Sequence, residues 1–130
     1  MLEAGIEGHK ELTVTEDKTA KVRKSGTLNV FATPALIELI EETAWTSVAD
    51  ELEEGMVTVG TNLNVAHLSA TPVGMKVFCN TILTEVDGRK LVFSVEVEDE
   101  AGKISQGVHE RFIVQADKFQ KKADAKGAKA

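Results

Sequence analysis

The sequence predicts an α+β domain in which an antiparallel sheet of about five strands wraps around one long helix. Three observations carry this reading. From Thr33 to about Leu52 apolar residues recur every three or four positions, as on a helix; from Met56 onward they alternate with period two; and short turns rich in glycine or proline divide the alternating stretches. Three long strands joined by tight turns must pair as an antiparallel meander, and the helix is the element left to cover its apolar face.

At the N-terminal end, "ELTVTEDKTAKV" (Glu11 to Val22) reads as a strand, folding as a hairpin about Glu16 and Asp17, and "RKSGTLNVFA" reads as a loop. Thr33-Pro34 then opens the helix, because a threonine hydroxyl can cap free amides and proline at the first helical position forfeits no hydrogen bond. Leu36, Leu39, Ile40, Thr43 and Ser47 form an inner face, and Ile37, Glu41, Trp45, Val48 and Leu52 form a second seam displaced around the cylinder. Only Glu38, Glu42, Thr46 and Ala49 make a solvent face, so the helix is expected to be enclosed on most sides by a curved sheet or a second subunit.

The strand from Met56 places Val57, Val59, Thr61, Leu63, Val65 and His67 on one parity, expected to face the helix. "ATPVG" (Ala70 to Gly74) is a turn before "MKVFCNTILTEV", and "DGR" (Asp87 to Arg89) is a hairpin signal. "KLVFSVEVED" alternates Leu91, Phe93, Val95 and Val97 against Val92, Ser94, Glu96 and Glu98, and "EAGK" leads into "ISQGVHERFIVQA", with a bulge expected at Gly107.

The 130 residues suit a single domain, here residues 1–120, with the Lys- and Ala-rich segment 121–130 expected to be a disordered tail. A net charge of -6 disfavours a phosphate-backbone surface, so no nucleic-acid partner is expected. No stretch approaches the ~20 apolar residues of a membrane span and the N-terminus lacks an apolar signal core, so the expectation is a cytoplasmic protein without a membrane partner. The single Cys79 reads as a core residue in a reducing compartment.

Three residues carry candidate chemistry. Glu41, set among Ile37, Trp45 and Val48, loses hydration when its helix is enclosed, which suits a base or nucleophile; a carboxylate that meets an arginine or reaches water fits the same spacing. His67 ends a row of inward positions, either as a catalytic group or as a satisfied core histidine. Thr33 sits where helix amides could hold an oxyanion, or it simply caps the helix. His9 and His109 have no partner in the pattern, and the three histidines lack metal-ligand spacing, so no metal is expected. There is no GxSxG elbow, Walker loop or GxGxxG.

Strand, buried helix and four-stranded meander is the layout of hotdog thioesterases, and "VFATP", a glutamate eight residues after its threonine, "VGTNLNVAHLSATPVGM", "EVDGRKLVFSVEVED" and "GVHERFIV" resemble the fluoroacetyl-CoA thioesterase-like family over Val30 to Val114. The resemblance implies that Thr33, Glu41 and His67 are catalytic, that the protein is a homodimer with its two helices near the interface, and that its substrate is an acyl-CoA. It implies no cofactor beyond the CoA of the substrate. Members built for fluoroacetyl groups carry phenylalanines just before the "VFAT" segment as a lid, whereas this chain reads "RKSGTLNVF" there and has Pro34 in place of a common glycine. The resemblance therefore carries over acyl-CoA hydrolysis and leaves the acyl group open.

The expected mechanism has Glu41 attack a short acyl-CoA thioester or activate water, His67 orient the attacking group and transfer protons, and Thr33 stabilise the carbonyl oxygen, with Gly60 and Pro34 contributing to substrate binding. An acyl-CoA binding or sensing module, another hotdog enzyme such as an enoyl-CoA hydratase, and a structural dimer are the alternatives. Eight helical residues span ~12 Å, too far for Thr33 and Glu41 to bond directly.

Overall fold

The computed structural model describes residues 1–128. Strand β1 (Glu7–Thr13) leads through a 3-10 turn and the short helix α1 (Ala20–Arg23) to the long helix α2 (Thr33–Val48), which a 3-10 turn extends to Glu51. Strands β2 (Met56–His67), β3 (Lys76–Asp87), β4 (Lys90–Asp99) and β5 (Gly102–Gln115) follow, and helix α3 (Ala116–Ala128) ends the described chain. All pairings are antiparallel in the order β1-β3-β4-β5-β2, so β1 and β2 are the two edges of one five-stranded sheet around α2.

The N-terminal strand departs from expectation. It begins four residues earlier than Glu11 and stops at Thr13, and no hairpin forms at Glu16 and Asp17. The alternation there is overridden by local bonds: the Thr15 hydroxyl donates to the Asp17 carboxylate, and Thr19 Oγ1 accepts from the Val22 amide at 3.3 Å to cap α1. Residues 121–128, expected to be disordered, are helical. Alanine and lysine favour helix, and Gln115 Oε1 accepts from the Lys118 amide at 2.6 Å in the first turn, although α3 buries no residue. The expectation for 129–130 lies outside the described residues.

Strand β2 has the bounds expected, but its parity changes within it. The register with β5 shifts between Gly60 and Asn62, a bulge that leaves Thr61 without a partner. After it Leu63, Val65 and His67 face inward as expected; before it Val57 is 43% exposed, Thr58 is half-buried, and a Cβ on Gly60 would point inward at Glu41, Arg111 and His109. Gly107 marks no bulge. It pairs in register with Val65 and Val95, and a Cβ there would fall 2.6 Å from Val65 Cα, so glycine permits close approach of β2 to β5.

Strands β3 and β4 alternate as expected, joined by a two-residue turn in which Gly88 takes φ 61°. Leu36, Leu39, Ile40, Val77, Cys79, Val95 and Val97 form the main core, and Ala44, Val48, Leu83, Leu91 and Phe93 continue it toward the end of α2. The inner face of α2 is as expected except that Ser47 is only half-buried and Ala35 and Ala44 complete the contact. The second seam is only partly covered: Ile37, Glu41 and Leu52 are half-buried and Trp45 is 45% exposed. No helix among the described residues is long and apolar enough to cross a membrane.

Candidate active site

Thr33 opens α2, His67 closes β2, and the fold brings these two ends together with Thr33 Oγ1 2.8 Å from His67 Nδ1. The expected capping role of Thr33 is not observed. Carbonyls of Thr71 and Lys18 take the amides of Phe31 and Ala32, and the first helical bond runs from the Leu36 amide to the Ala32 carbonyl at 2.9 Å. Ala32 is therefore the cap position and Thr33 is already helical, its hydroxyl left for His67. Pro34 occupies the second helical position, where its missing N–H still costs nothing, and it is half-buried.

Burial pushes the His67 pKa below its usual value, which favours the neutral imidazole. Its Nε2 is enclosed and has no hydrogen-bond partner among the described residues. Thr33 and His67 line a cleft of about 240 Å³ with Ser25, Val30 and Ser69. Phe31, the first phenylalanine after the "RKSGTLNV" loop, also lines this cleft, but at 1% exposure it is anchored in the core.

Glu41 lies in a second place. Its Oε2 is 3.3 Å from Arg111 Nη1, and the guanidinium is fixed by Nε donating to Thr58 Oγ1 at 2.8 Å and Nη2 donating to the Thr58 carbonyl at 3.0 Å. Arg111 Nη1 also lies 3.1 Å from His109 Nε2. Because His109 Nδ1 is 2.8 Å from the Asn62 carbonyl, which can only accept, the proton sits on Nδ1 and Nε2 accepts from Arg111. Burial is the main cause holding His109 below its usual pKa; the Asn62 carbonyl acts against it and Arg111 with it.

Gly60 makes this arrangement possible. A Cβ there would lie 2.5 Å from Glu41 Oε2 and 3.3 Å from Arg111 Nη1, so the carboxylate rests against the bare backbone of β2. Glu41 and Arg111 line a cleft of about 440 Å³ whose wall includes Trp45, with Lys18 and Arg23 at the rim. Gly60 and His67 are seven strand residues apart, roughly 20 Å. Within one chain, then, Thr33 joins His67 and Glu41 joins Gly60, and the two groups line separate clefts.

Residues 14–117 match the profile of the fluoroacetyl-CoA-specific thioesterase family. The chain belongs to that family. It is 36% identical over 97 residues to the fluoroacetyl-CoA thioesterase of Streptantibioticus cattleyicolor, covering 75% of this chain and 70% of that protein. The solved structure of the fluoroacetyl-CoA thioesterase FlK superposes with a TM-score of 0.92 at 30% identity, covering 97% of this chain and 98% of that one. A thioesterase superfamily member from Thermus thermophilus, 24% identical, shares the fold with a TM-score of 0.91 over 99% of this chain and 96% of its own. The chain is accordingly a hotdog thioester hydrolase.

The sequence pattern does not single out Arg111, His109 or Thr58 in this thioesterase. His109 and Arg111 fall on one parity of β5, and that parity proves to be the inner one, where they are 0% and 5% exposed. A charge on the buried parity of a strand, two residues from a histidine, is the signal that could have found them. It is obscured because the β2 bulge turns Thr58 and Gly60, their partners, to a face the simple alternation assigns to solvent.

Proposed function

We propose that this protein hydrolyses a short acyl-CoA to the free acid and CoA in a site that two chains build together. Glu41 of one protomer acts as nucleophile or general base, His67 of the other orients the attacking group and transfers protons, and Thr33 beside that His67 stabilises the carbonyl oxygen. Family membership supports acyl-CoA as the substrate class. The observation that carries the two-chain reading is the separation of Glu41 from His67 along β2, a strand with one unpaired edge.

If two copies of β2 pair edge to edge about a twofold axis, they run antiparallel, and the Gly60 end of one strand meets the His67 end of the other. That pairing also covers the half-open seam of α2: Trp45, Ala49, Leu52, Met56 and Val57 line an apolar groove next to the β2 edge. No resident cofactor is needed, and the single buried Cys79 suits the reducing cytoplasm. Ser25, Val30 and Phe31 line the His67 cleft, and Phe31 is the single phenylalanine among its lining residues, so the acyl group stays open between fluoroacetyl and other short chains.

A heterodimer of Glu41→Gln and His67→Ala chains tests the reading. A shared site predicts one intact centre per dimer and about half the wild-type rate of thiol release, although each variant alone is nearly inactive. An inactive heterodimer would place both residues in one chain's site. Run across acetyl-, fluoroacetyl-, longer acyl- and aryl-CoA, the same assay names the acyl class, and CoA-ester binding without thiol release would turn the reading toward a sensor.

Gly60→Ala should separate site geometry from stability. The atom it meets is the free end of the Glu41 side chain, which can move aside, so the unfolding midpoint should hold while kcat falls about 100-fold as the carboxylate leaves Arg111. An unchanged kcat would show that the position of Glu41 beside Gly60 is not the working one.

A further inference from the structure

Two buried polar atoms at the His67 end of the site have no hydrogen-bond partner among the described residues, His67 Nε2 and Ser105 Oγ. They belong to one cross-strand pair, since His67 of β2 stands opposite Ser105 of β5. Directly paired residues of antiparallel strands project to the same face with Cβ atoms ~5 Å apart, a gap that a serine hydroxyl and an imidazole can close by side-chain rotation. Its neighbours along the sheet offer no side-chain partner. Ser105 has Val97 as its neighbour on β4, and Gly107, next along the face of β5, has no side chain.

We propose that Ser105 is a positioning residue for His67, its hydroxyl donating to Nε2 and so fixing the imidazole proton on Nδ1. The inference rests on the reading that Thr33 and His67 handle the thioester carbonyl. Two arrangements of hydrogens can link Ser105, His67 and Thr33. In one, Ser105 donates to Nε2, Nδ1–H donates to Thr33 Oγ1, and the Thr33 hydroxyl hydrogen is left over. In the other, Thr33 donates to Nδ1, Nε2–H donates to Ser105, and the Ser105 hydrogen is left over.

Burial decides between them. Ser105 is 0% exposed, where an unpaired donor is costly, whereas Thr33 is exposed and its spare hydrogen can reach solvent or substrate. The favoured arrangement is also the useful one. It aims the Thr33 hydroxyl hydrogen outward, toward the carbonyl oxygen on which negative charge develops, while Nδ1–H holds the Thr33 oxygen in place. The reverse tautomer spends that hydrogen on His67 and presents a lone pair to the carbonyl.

The test is long-range ¹H–¹⁵N correlation on the ¹⁵N-labelled full chain without substrate, with His67 assigned by His9→Gln and His109→Gln variants, alongside thiol-release kinetics. Wild type should show a protonated Nδ1 and an unprotonated Nε2. Ser105→Ala should mix the two tautomers and lower kcat on the order of tenfold with KM little changed, and Ser105→Thr, which keeps the hydroxyl, should restore both readouts. A His67 signature identical in wild type and Ser105→Ala, or Nε2 protonated in wild type, would overturn the proposal. Because the tautomer is read without substrate, failure of every CoA ester to turn over would count against the proposed function and not against this role of Ser105.

Discussion

Glu41→Gln should lower kcat by about two to four orders of magnitude and leave the fold intact. Glutamine fills the same volume beside Gly60 and can still accept from Arg111 Nη1, so the cleft keeps its shape while losing the carboxylate proposed to attack or to take a proton from water. The stability side of the prediction follows from exposure. The Glu41 side chain is 39% exposed, so solvent screens its pairing with Arg111 and the net contribution to folding is about 0–1 kcal/mol. Single-turnover thiol release and urea unfolding on the same sample check both halves. A kcat equal to wild type would remove Glu41 as base or nucleophile; a large drop in the unfolding midpoint would make it a structural residue first.

The fold was legible where periodicity is strong and local. The meander announces itself because β4 places Leu91, Phe93, Val95 and Val97 inward with polar residues between them, and the Asp87-Gly88-Arg89 turn joins it to β3. The helix was legible from its two apolar seams, although its start lay one residue away because distant carbonyls, those of Thr71 and Lys18, pull the chain into the helix. The N-terminal segment was misread because alternation runs on through Thr13, Val14 and Thr15 while the side chains of Thr15 and Thr19 hold a turn. Period counts pleats; it does not count competing side-chain bonds.

The site was legible residue by residue but not as an assembly. A carboxylate in an apolar seam marks Glu41, and an inward strand position marks His67, yet nothing in the spacing says that Glu41 lies against Gly60, seven residues along β2 from His67. That separation depends on how β2 lies along α2, which is tertiary. Trp45 shows the same limit: its spacing asks for a cover that the single chain provides only in part. Arg111 escaped notice for a different reason. A strand arginine is ordinarily solvated, and only the bulge beyond Gly60 supplies the Thr58 acceptors that let it be buried.

Arg111→Met should therefore cost both stability and activity. Arginine supplies donors to Thr58 Oγ1, the Thr58 carbonyl, His109 Nε2 and Glu41 Oε2, and methionine replaces its length but none of its N–H groups. Three of those acceptors belong to the buried side of the network, where each unpaired group is penalised. Removing one partner of such a network costs about 3–5 kcal/mol when all of it is enclosed, and the partial exposure of Glu41 brings the expected loss to about 2–4 kcal/mol. Catalysis should fall about 100-fold among molecules that remain folded, because Glu41 loses the charge that fixes its position. Arg111→Lys discriminates the causes: an ammonium keeps the charge but cannot span Thr58, His109 and Glu41 at once, so stability should stay low while part of the activity returns. Full recovery of the unfolding midpoint with lysine would show that charge alone, and not the forked geometry on Thr58, holds this end of the site together.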